Sequence, residues 1–240
     1  METGHAKNVA NLETTTIILT NLGAEYTPPQ DLILLPELQT FLGNSQTALG
    51  EIDTAQAAKT IAVDEVQAEF KDLDRYVVNI KRQAQVEINE PAFTADLQTI
   101  VNKFAPPGRK TGVPDDPSTP DIDESRTAQS QSQRSRDNQV AHLADISALL
   151  KTKSDYKAVG TPYNIPTIDA KIASLTAKNN AARNTIAQLG NKLNARDALI
   201  YNDETGILAR IKLIKTYLAL KFGKDSAAYQ QINALEFRKY

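Results

Sequence analysis

The feature of this sequence that most constrains its fold is a stripe of mostly apolar residues between positions 166 and 201, spaced alternately by four and three. A stripe kept over several heptads is typical of a long helix that packs lengthwise against other helices. Pro166 suits the first turn of such a helix, and the next helix-breaking residues stand at 202–206. At about 1.5 Å per residue, the sequence predicts one helix roughly 50 Å long. The stripe consists of Ile168, Ile172, Leu175, Asn179, Ala182, Ile186, Leu189, Leu193, Arg196 and Ile200.

A second stripe with the same spacing runs from position 35 to position 80. When it is shifted by 137 positions, its apolar residues coincide with apolar residues of the second half of the chain. We interpret this match as an internal duplication. The predicted fold is all-α, with two tandem homologous helical bundles built on long coiled-coil-like helices. The coinciding pairs are Leu35/Ile172, Leu38/Leu175, Leu49/Ile186, Ile52/Leu189, Val63/Ile200, Phe70/Ile207 and Val77/Ile214.

The repeat and the composition together predict three segments. Residues 1–104 form an acidic N-terminal helical bundle, residues 105–137 a linker, and residues 138–240 a basic C-terminal helical bundle. The linker is rich in Pro, Ser and Gln, so it cannot bury enough apolar surface to offset the entropy lost on ordering it. In the first bundle we expect a bend or a short loop in the long helix near 63–66, because the second half carries a helix breaker at the equivalent place.

Local signals predict several helix ends. Gly23 and Gly223 are predicted to end helices, since glycine readily adopts the left-handed conformation that follows many helices. Asp225 or Ser226 is predicted to cap the last helix.

Two stretches of the second half, residues 201–206 (YNDETG) and 222–229 (FGKDSAAY), resemble a group of uncharacterised bacterial all-helical proteins built from a duplicated bundle. The resemblance covers both halves in plan and is specific in those two stretches. It implies an all-helical fold and no activity.

The net charge of −2 conceals a strong asymmetry. Residues 1–105 carry seven Lys/Arg against fifteen Asp/Glu, a charge of −8, whereas residues 138–240 carry fifteen against eight, a charge of +7. Opposed fields of this kind attract and orient partners. The positive half has no stripe of basic residues interleaved with aromatics, and the negative half would repel phosphate, so nucleic acid is an unlikely partner.

The chain has no cysteine, which excludes disulfides, thiolate zinc sites and thiol nucleophiles. Its first residues lack the basic patch and apolar core of a signal peptide, and no apolar run reaches the length of a membrane span. We therefore expect a cytoplasmic protein, and the sequence leaves an extracellular location open.

Few residues could carry metal or nucleophilic chemistry. The histidines are His5 and His142. Asp145 lies one turn after His142, but neither histidine belongs to the Glu-x-x-His pair that builds di-metal sites in helical bundles. A hydroxyl nucleophile needs a base, and no histidine is placed to serve as one. We predict no metal, no cofactor and no catalytic residue.

Two other patterns invite a chemical interpretation. Glu65, Glu69 and Asp72 lie at helical spacing and could form an acid–base site. A solvated acidic face explains them more simply, because apolar neighbours occupy the other side of the helix. Residues 108–111 resemble the end of a phosphate-binding loop, but they lack its first glycine and follow no strand.

Polar and basic residues mark two helices. Asn179 and Arg196 interrupt the apolar stripe, either as buried polar groups that fix helix register or because the stripe faces solvent there. Lys212, Lys215 and Lys221 belong to a basic amphipathic segment, which is typical of membrane-surface helices and also of core helices with lysines at the edge.

These observations favour a non-enzymatic structural protein that self-assembles, the acidic half of one subunit meeting the basic half of the next in a homo-oligomer or polymer. The alternative is a monomeric helical adaptor that binds a protein partner, or a membrane surface through Lys212, Lys215 and Lys221.

Overall fold

A computed structural model describes residues 3–104 and 135–240 of the chain. Within these ranges the protein is helical and contains no strand, which confirms the predicted all-α class. Most of the predicted linker, residues 105–134, lies outside the described residues. The α-helices are α1 (Thr3–Asn21), α2 (Leu35–Phe70), α3 (Leu73–Glu87), α4 (Pro91–Asn102), α5 (Arg136–Lys151), α6 (Ile165–Ile200), α7 (Ile207–Lys221) and α8 (Ala227–Ala234).

The chain divides into two compact units that are interleaved in sequence. Unit 1 comprises Met1–Thr60 and Thr185–Tyr240, and unit 2 comprises Ile61–Asn184. This division differs from the predicted bundles, 1–104 and 138–240, because each unit combines segments of both halves. The boundaries fall inside the long helices α2 and α6, so the helices that precede and follow each of them belong to different units.

Unit 1 is built from α1, the first part of α2, the last part of α6, α7 and α8. Its core is aliphatic, with one phenylalanine and two tyrosines among the buried residues. The buried core residues are Val9, Leu12, Leu19, Tyr26, Ile33, Leu38, Phe41, Ile200, Tyr201, Ile207, Ile211, Ile214, Leu218 and Ile232.

Unit 2 contains the last turns of α2, then α3, α4, α5 and the first part of α6. Its core has the same character. The buried core residues are Leu73, Val77, Ile80, Ala84, Ile88, Phe93, Leu97, Val101, Phe104, Leu143, Ile146, Leu150, Tyr156, Ala158, Ile168 and Leu175.

The predicted stripes are largely the buried faces of the two long helices. In α2 one buried series recurs every seven residues, at Leu38, Ser45 and Ile52. In α6 a matching series passes through Ile168, Leu175, Ala182, Leu189 and Arg196. Ile186 departs from the prediction, since 49% of its surface is exposed.

The start and end of α2 differ by one heptad from the sequence-based alignment of the two stripes. The helix is unbroken through 63–66 and ends at Phe70, so the short loop expected there is wrong. Helices α2 and α6 both have 36 residues, and their first residues are 130 positions apart rather than 137. A heptad pattern coincides with itself after a shift of seven, so the stripe alone could not distinguish these offsets. A shift of 130 aligns the end of α2 at Phe70 with the end of α6 at Ile200.

The predicted helix ends are confirmed at three positions. Gly23 and Gly223 follow helices with φ of +54° and +84°, the left-handed region that glycine favours. Ser226, rather than Asp225, caps α8, since its hydroxyl accepts a hydrogen bond from the Tyr229 N–H at 3.4 Å.

Each of the two loops that precede a long helix contains a hydrogen bond from a tyrosine hydroxyl to a backbone carbonyl. The Tyr26 hydroxyl donates to the Ile33 carbonyl at 2.7 Å, and the Tyr156 hydroxyl donates to the Tyr163 carbonyl at 2.5 Å. Each bond spans seven residues, and the two tyrosines are 130 positions apart.

A second pair of bonds joins these loops to α3 and α7, which both have 15 residues. The Arg210 guanidinium in α7 donates to the Leu32 carbonyl. At the corresponding position of α3, the Tyr76 hydroxyl donates to the Pro162 carbonyl at 3.0 Å. Corresponding carbonyls are therefore satisfied by chemically different donors.

Candidate functional site

The acidic residues considered as an acid–base site do not converge. The Glu65 carboxylate lies 2.5 Å from the Lys178 ammonium, and the Glu69 carboxylate lies 2.8 Å from that of Lys171. The hydrogen bond from Lys171 is the main cause that holds the pKa of Glu69 below its usual range. Asp72 is exposed just before α3. On the predicted solvated face, Glu65 and Glu69 therefore form ion pairs with lysines of α6.

The histidines lie in different units and meet no common site. His5 Nδ1 lies 2.7 Å from the Tyr201 hydroxyl in unit 1. In unit 2, His142 Nδ1 is 3.7 Å from the Asp145 carboxylate, too far for a hydrogen bond, and its ring meets the Phe104 ring edge-on. Across residues 3–104 and 135–240, no group of three or more His, Asp or Glu side chains is arranged to hold a metal ion. The 108–111 motif lies outside the described residues.

Asn179 and Arg196 are buried, with 7% and 4% of their surfaces exposed. The Asn179 amide donates to Asp137 at 2.6 Å, and Arg196 Nε donates to Asp197 at 2.9 Å. Of the two interpretations, burial of polar groups in the stripe is correct and solvent exposure is wrong.

Ion pairs join the acidic half to the basic half within a single chain. In unit 2 these include Glu65–Lys178 and Glu69–Lys171, and in unit 1 Glu51–Lys192 at 2.9 Å. Part of the opposed charge predicted from the sequence is therefore compensated internally, at Glu51, Glu65, Glu69 and Glu90.

The basic residues of 138–240 differ in whether their side chains are bonded within the chain, and most of those that are not lie on one surface. Of the fifteen, nine pair with carboxylates, and Arg210 and Lys221 bond to carbonyl or hydroxyl oxygens. The four others, Lys157, Lys212, Lys215 and Lys224, have no ion pair or side-chain hydrogen bond within the described part of the chain. Three of these four line one groove.

That groove, here named the α7–α8 groove, lies in unit 1 between the two helices and the segment after α8. It is open to solvent and has a volume of about 1010 Å³. Its apolar lining includes Ile211, Tyr229 and Phe237. Leu220 stands at the groove with 83% of its surface exposed. An apolar lining beside uncommitted lysines is suited to binding an amphipathic, acidic partner.

Unit 2 has a corresponding groove between α3 and α4, of about 490 Å³. There the Lys81 ammonium donates to the Gln98 amide oxygen at 2.7 Å, so a side-chain bond joins the two helices. Aligning the 15-residue helices and the starts of α4 and α8 places Lys215 opposite Lys81, and Ala234 opposite Gln98. Alanine has no acceptor in its side chain, so the bridge of unit 2 has no counterpart in the α7–α8 groove.

The three lysines proposed for a membrane surface do not all have the same surroundings. Lys212 and Lys215 line the groove, whereas Lys221 turns to the loop after α1 and donates to Thr27 Oγ1 at 2.8 Å. The apolar face of α7 is occupied by the core of unit 1. Among the described helices, none combines the length and apolarity needed to cross a bilayer.

The α7–α8 groove is not a feature that the sequence singled out. The basic amphipathic segment did include Lys212 and Lys215. Only the tertiary structure shows that α8 forms the opposite wall, and that Ala234 stands there in place of an acceptor such as Gln98. Comparisons with protein-family models, curated proteins and solved structures find no match to this chain, so its resemblance to duplicated all-helical bacterial proteins stays a prediction.

Proposed function

We propose that this chain is a non-enzymatic helical adaptor that acts as a monomer and binds a protein partner through unit 1. The observation that carries the proposal is the contrast among the basic residues of 138–240. Most of them bond to the chain itself, whereas three of the four uncommitted lysines line the α7–α8 groove. Charges left unpaired beside an apolar groove are available to a partner.

Self-assembly through complementary halves is the other interpretation, and pairing within the chain removes part of its driving force. Some of the charges that would attract a second subunit already form pairs inside one chain, such as Glu69–Lys171 and Glu51–Lys192. A heterologous contact built on them would first have to break these pairs.

We also infer that the two halves are copies of one ancestral helical unit. Supporting this are the equal lengths of α2 and α6 and of α3 and α7, together with the repeated tyrosine-to-carbonyl bonds. In unit 2, ion pairs join α2 to α6 with residue numbers that rise on one helix as they fall on the other, as in an antiparallel coiled coil.

Light scattering at low and high salt tests the monomer. The Debye length falls from about 10 Å at 0.1 M salt to about 3 Å at 1 M, so contacts steered by charge weaken over this range. We expect the mass of one chain at every ionic strength. A mass that rises at low salt would support self-assembly instead.

Site-specific photo-crosslinking in cells tests the partner. A crosslinking amino acid at position 220 should trap a protein, because Leu220 stands at the groove and is exposed. The matched control is position 159 in unit 2, where Val159 is 84% exposed. Equal trapping at both positions, or none at 220, would contradict binding at this groove.

A further inference from the structure

We propose that the partner element held by the α7–α8 groove is an amphipathic α-helix with acidic residues beside its apolar stripe. This inference rests on the proposed function and specifies the chemistry of the ligand.

The walls of the groove determine the conformation of the ligand. Two of the three walls, α7 and α8, are helices whose backbone groups are bonded internally. In the third wall, residues 235–237, the Leu235 N–H donates to Ile232 and the Glu236 carbonyl accepts from Asn11, so the groove offers no continuous row of free N–H and C=O groups to an extended peptide. An extended segment lying there would leave its own backbone groups unpaired, whereas a helix satisfies them within itself. Helix-in-groove binding then needs only an apolar stripe on the ligand.

The length of the groove sets the size of the ligand. Helix α7 has 15 residues and is therefore about 22 Å long. A ligand helix of four turns matches that length, and its apolar side chains would cover Leu220 and the lining residues Ile211 and Phe237.

The charge of the groove sets the sign of the ligand. Lys212 and Lys215 lie three residues apart, on neighbouring positions of the α7 surface, and Lys224 lies beyond the end of α7. The one acid in the lining, Glu236, is already paired with Lys7 and Arg238. Glutamates beside the apolar stripe would therefore meet uncompensated positive charge.

The corresponding groove of unit 2 shows what closes such a site. There the hydrogen bond from Lys81 to Gln98 joins the helices and uses the lysine that corresponds to Lys215. Unit 1 has Ala234 in place of that acceptor, and its groove is about twice as large. The same helical arrangement is thus bridged in one unit and open in the other.

The test measures binding of the full chain to labelled synthetic helices by fluorescence anisotropy. The probe is an 18-residue peptide with a leucine stripe flanked by glutamates, and its controls are a scrambled peptide and one with lysines in place of the glutamates. We expect the acidic amphipathic peptide to bind more than tenfold tighter than either control.

Charge-matched variants locate the site. Lys212→Glu and Lys215→Glu should each weaken binding at least fivefold. Lys157→Glu, which makes the same change of charge at an uncommitted lysine of unit 2, should alter it less than twofold. Ala234→Gln should weaken binding without changing the net charge, because a glutamine there can bond Lys215 as Gln98 bonds Lys81. Equal losses for Lys157→Glu and Lys215→Glu would overturn the inference.

Two further results separate this inference from the proposed function. If the chain is monomeric and is crosslinked at position 220 but binds none of the peptides, the acidic helix is the wrong ligand and the adaptor stands. Vesicles of anionic lipid serve as a second probe. Binding to vesicles in place of the peptide, lost in Lys212→Glu, would overturn the inference in favour of a membrane surface.

Discussion

Buried tyrosine hydroxyls hold the loop that precedes each long helix. Burial raises the pKa of both Tyr26 and Tyr156 above its ordinary value, so each hydroxyl keeps its proton and remains a donor. Their acceptors, the carbonyls of Ile33 and Tyr163, lie just before α2 and α6. Each hydroxyl thus fastens the chain just before a long helix.

Replacing Tyr26 or Tyr156 with phenylalanine should lower the free energy of unfolding by about 1–3 kcal/mol, because a carbonyl that is buried at Ile33 and partly buried at Tyr163 loses its donor. The measurement is urea unfolding followed by circular dichroism. Tyr229→Phe is the control, since that hydroxyl makes no hydrogen bond in the described ranges and its loss should be near zero. A Tyr156→Phe protein as stable as this control would contradict the role of the bond.

Glu87 fastens the loop after α5 to the end of α3. Its carboxylate accepts hydrogen bonds from the N–H groups of Lys157, at 2.6 Å, and Ala158, at 3.0 Å. Burial alone would raise the pKa of Glu87, but the bonds from Ala158, Lys157 and Gln83 outweigh it, and the pKa lies below its ordinary value.

A lowered pKa favours the ionised form in the folded state. The stability that Glu87 supplies is therefore present above its unfolded pKa, of about 4.3, and is lost as the pH falls through the lower folded value. We expect Glu87→Gln to be less stable than the natural chain at pH 7, by a margin that shrinks toward pH 3. Urea midpoints across this range measure it, with Glu13→Gln on the exposed face of α1 as the control. A margin independent of pH would contradict this account.

At the scale of elements, the turn between α6 and α7 is the tightest connection that the glycines reveal. A Cβ at Gly206 would lie 2.5 Å from the Ile200 carbonyl oxygen and 2.6 Å from that of Asn202. The φ of Gly206 is −75°, which any residue adopts, so close approach rather than backbone conformation requires glycine here. The turn is further fixed by the Asn202 side chain, which accepts from the N–H groups of Glu204 and Thr205 at 2.9 Å.

Gly206→Ala should destabilise the protein by about 1–3 kcal/mol, because the obstructing atoms belong to the backbone and must shift. Gly50→Ala is a matched control with the opposite sign. Gly50 lies within α2 with open space at its Cβ position, so alanine should stabilise the helix by about 0.5–1 kcal/mol. Thermal unfolding of both variants distinguishes the two effects, and a neutral Gly206→Ala would show that the turn relaxes freely.

At the scale of the whole molecule, interleaving makes each half of the sequence dependent on the other. Unit 1 needs α1 from the first half and α7 from the second, and unit 2 needs α3 from the first and α5 from the second. Neither half of the sequence holds a complete core.

Fragments 1–104 and 135–240, prepared separately, should therefore lack cooperative unfolding and should regain it when mixed as a one-to-one complex. Circular dichroism follows the helix content, and light scattering follows the mass of the complex. Cooperative unfolding of either fragment alone would support the tandem bundles predicted from the sequence.

Local patterns made much of the fold predictable. The heptad stripes, the glycines after α1 and α7 and the Ser226 cap act over a few residues, so the sequence alone indicated the helices and several of their ends. The stripes also identified Asn179 and Arg196 as positions of interest, although only the structure shows that both are buried.

What the sequence by itself determined is the helical class, the long amphipathic helices and the opposed charge of the two halves, because periodicity and composition can be read along one segment. The tertiary structure alone decided which segments share a core, which charges pair and which groove stays open. These depend on contacts between residues more than a hundred positions apart, such as Glu51 and Lys192. A heptad stripe looks the same after a shift of seven residues. The pattern within one stripe therefore does not indicate which distant residues it contacts.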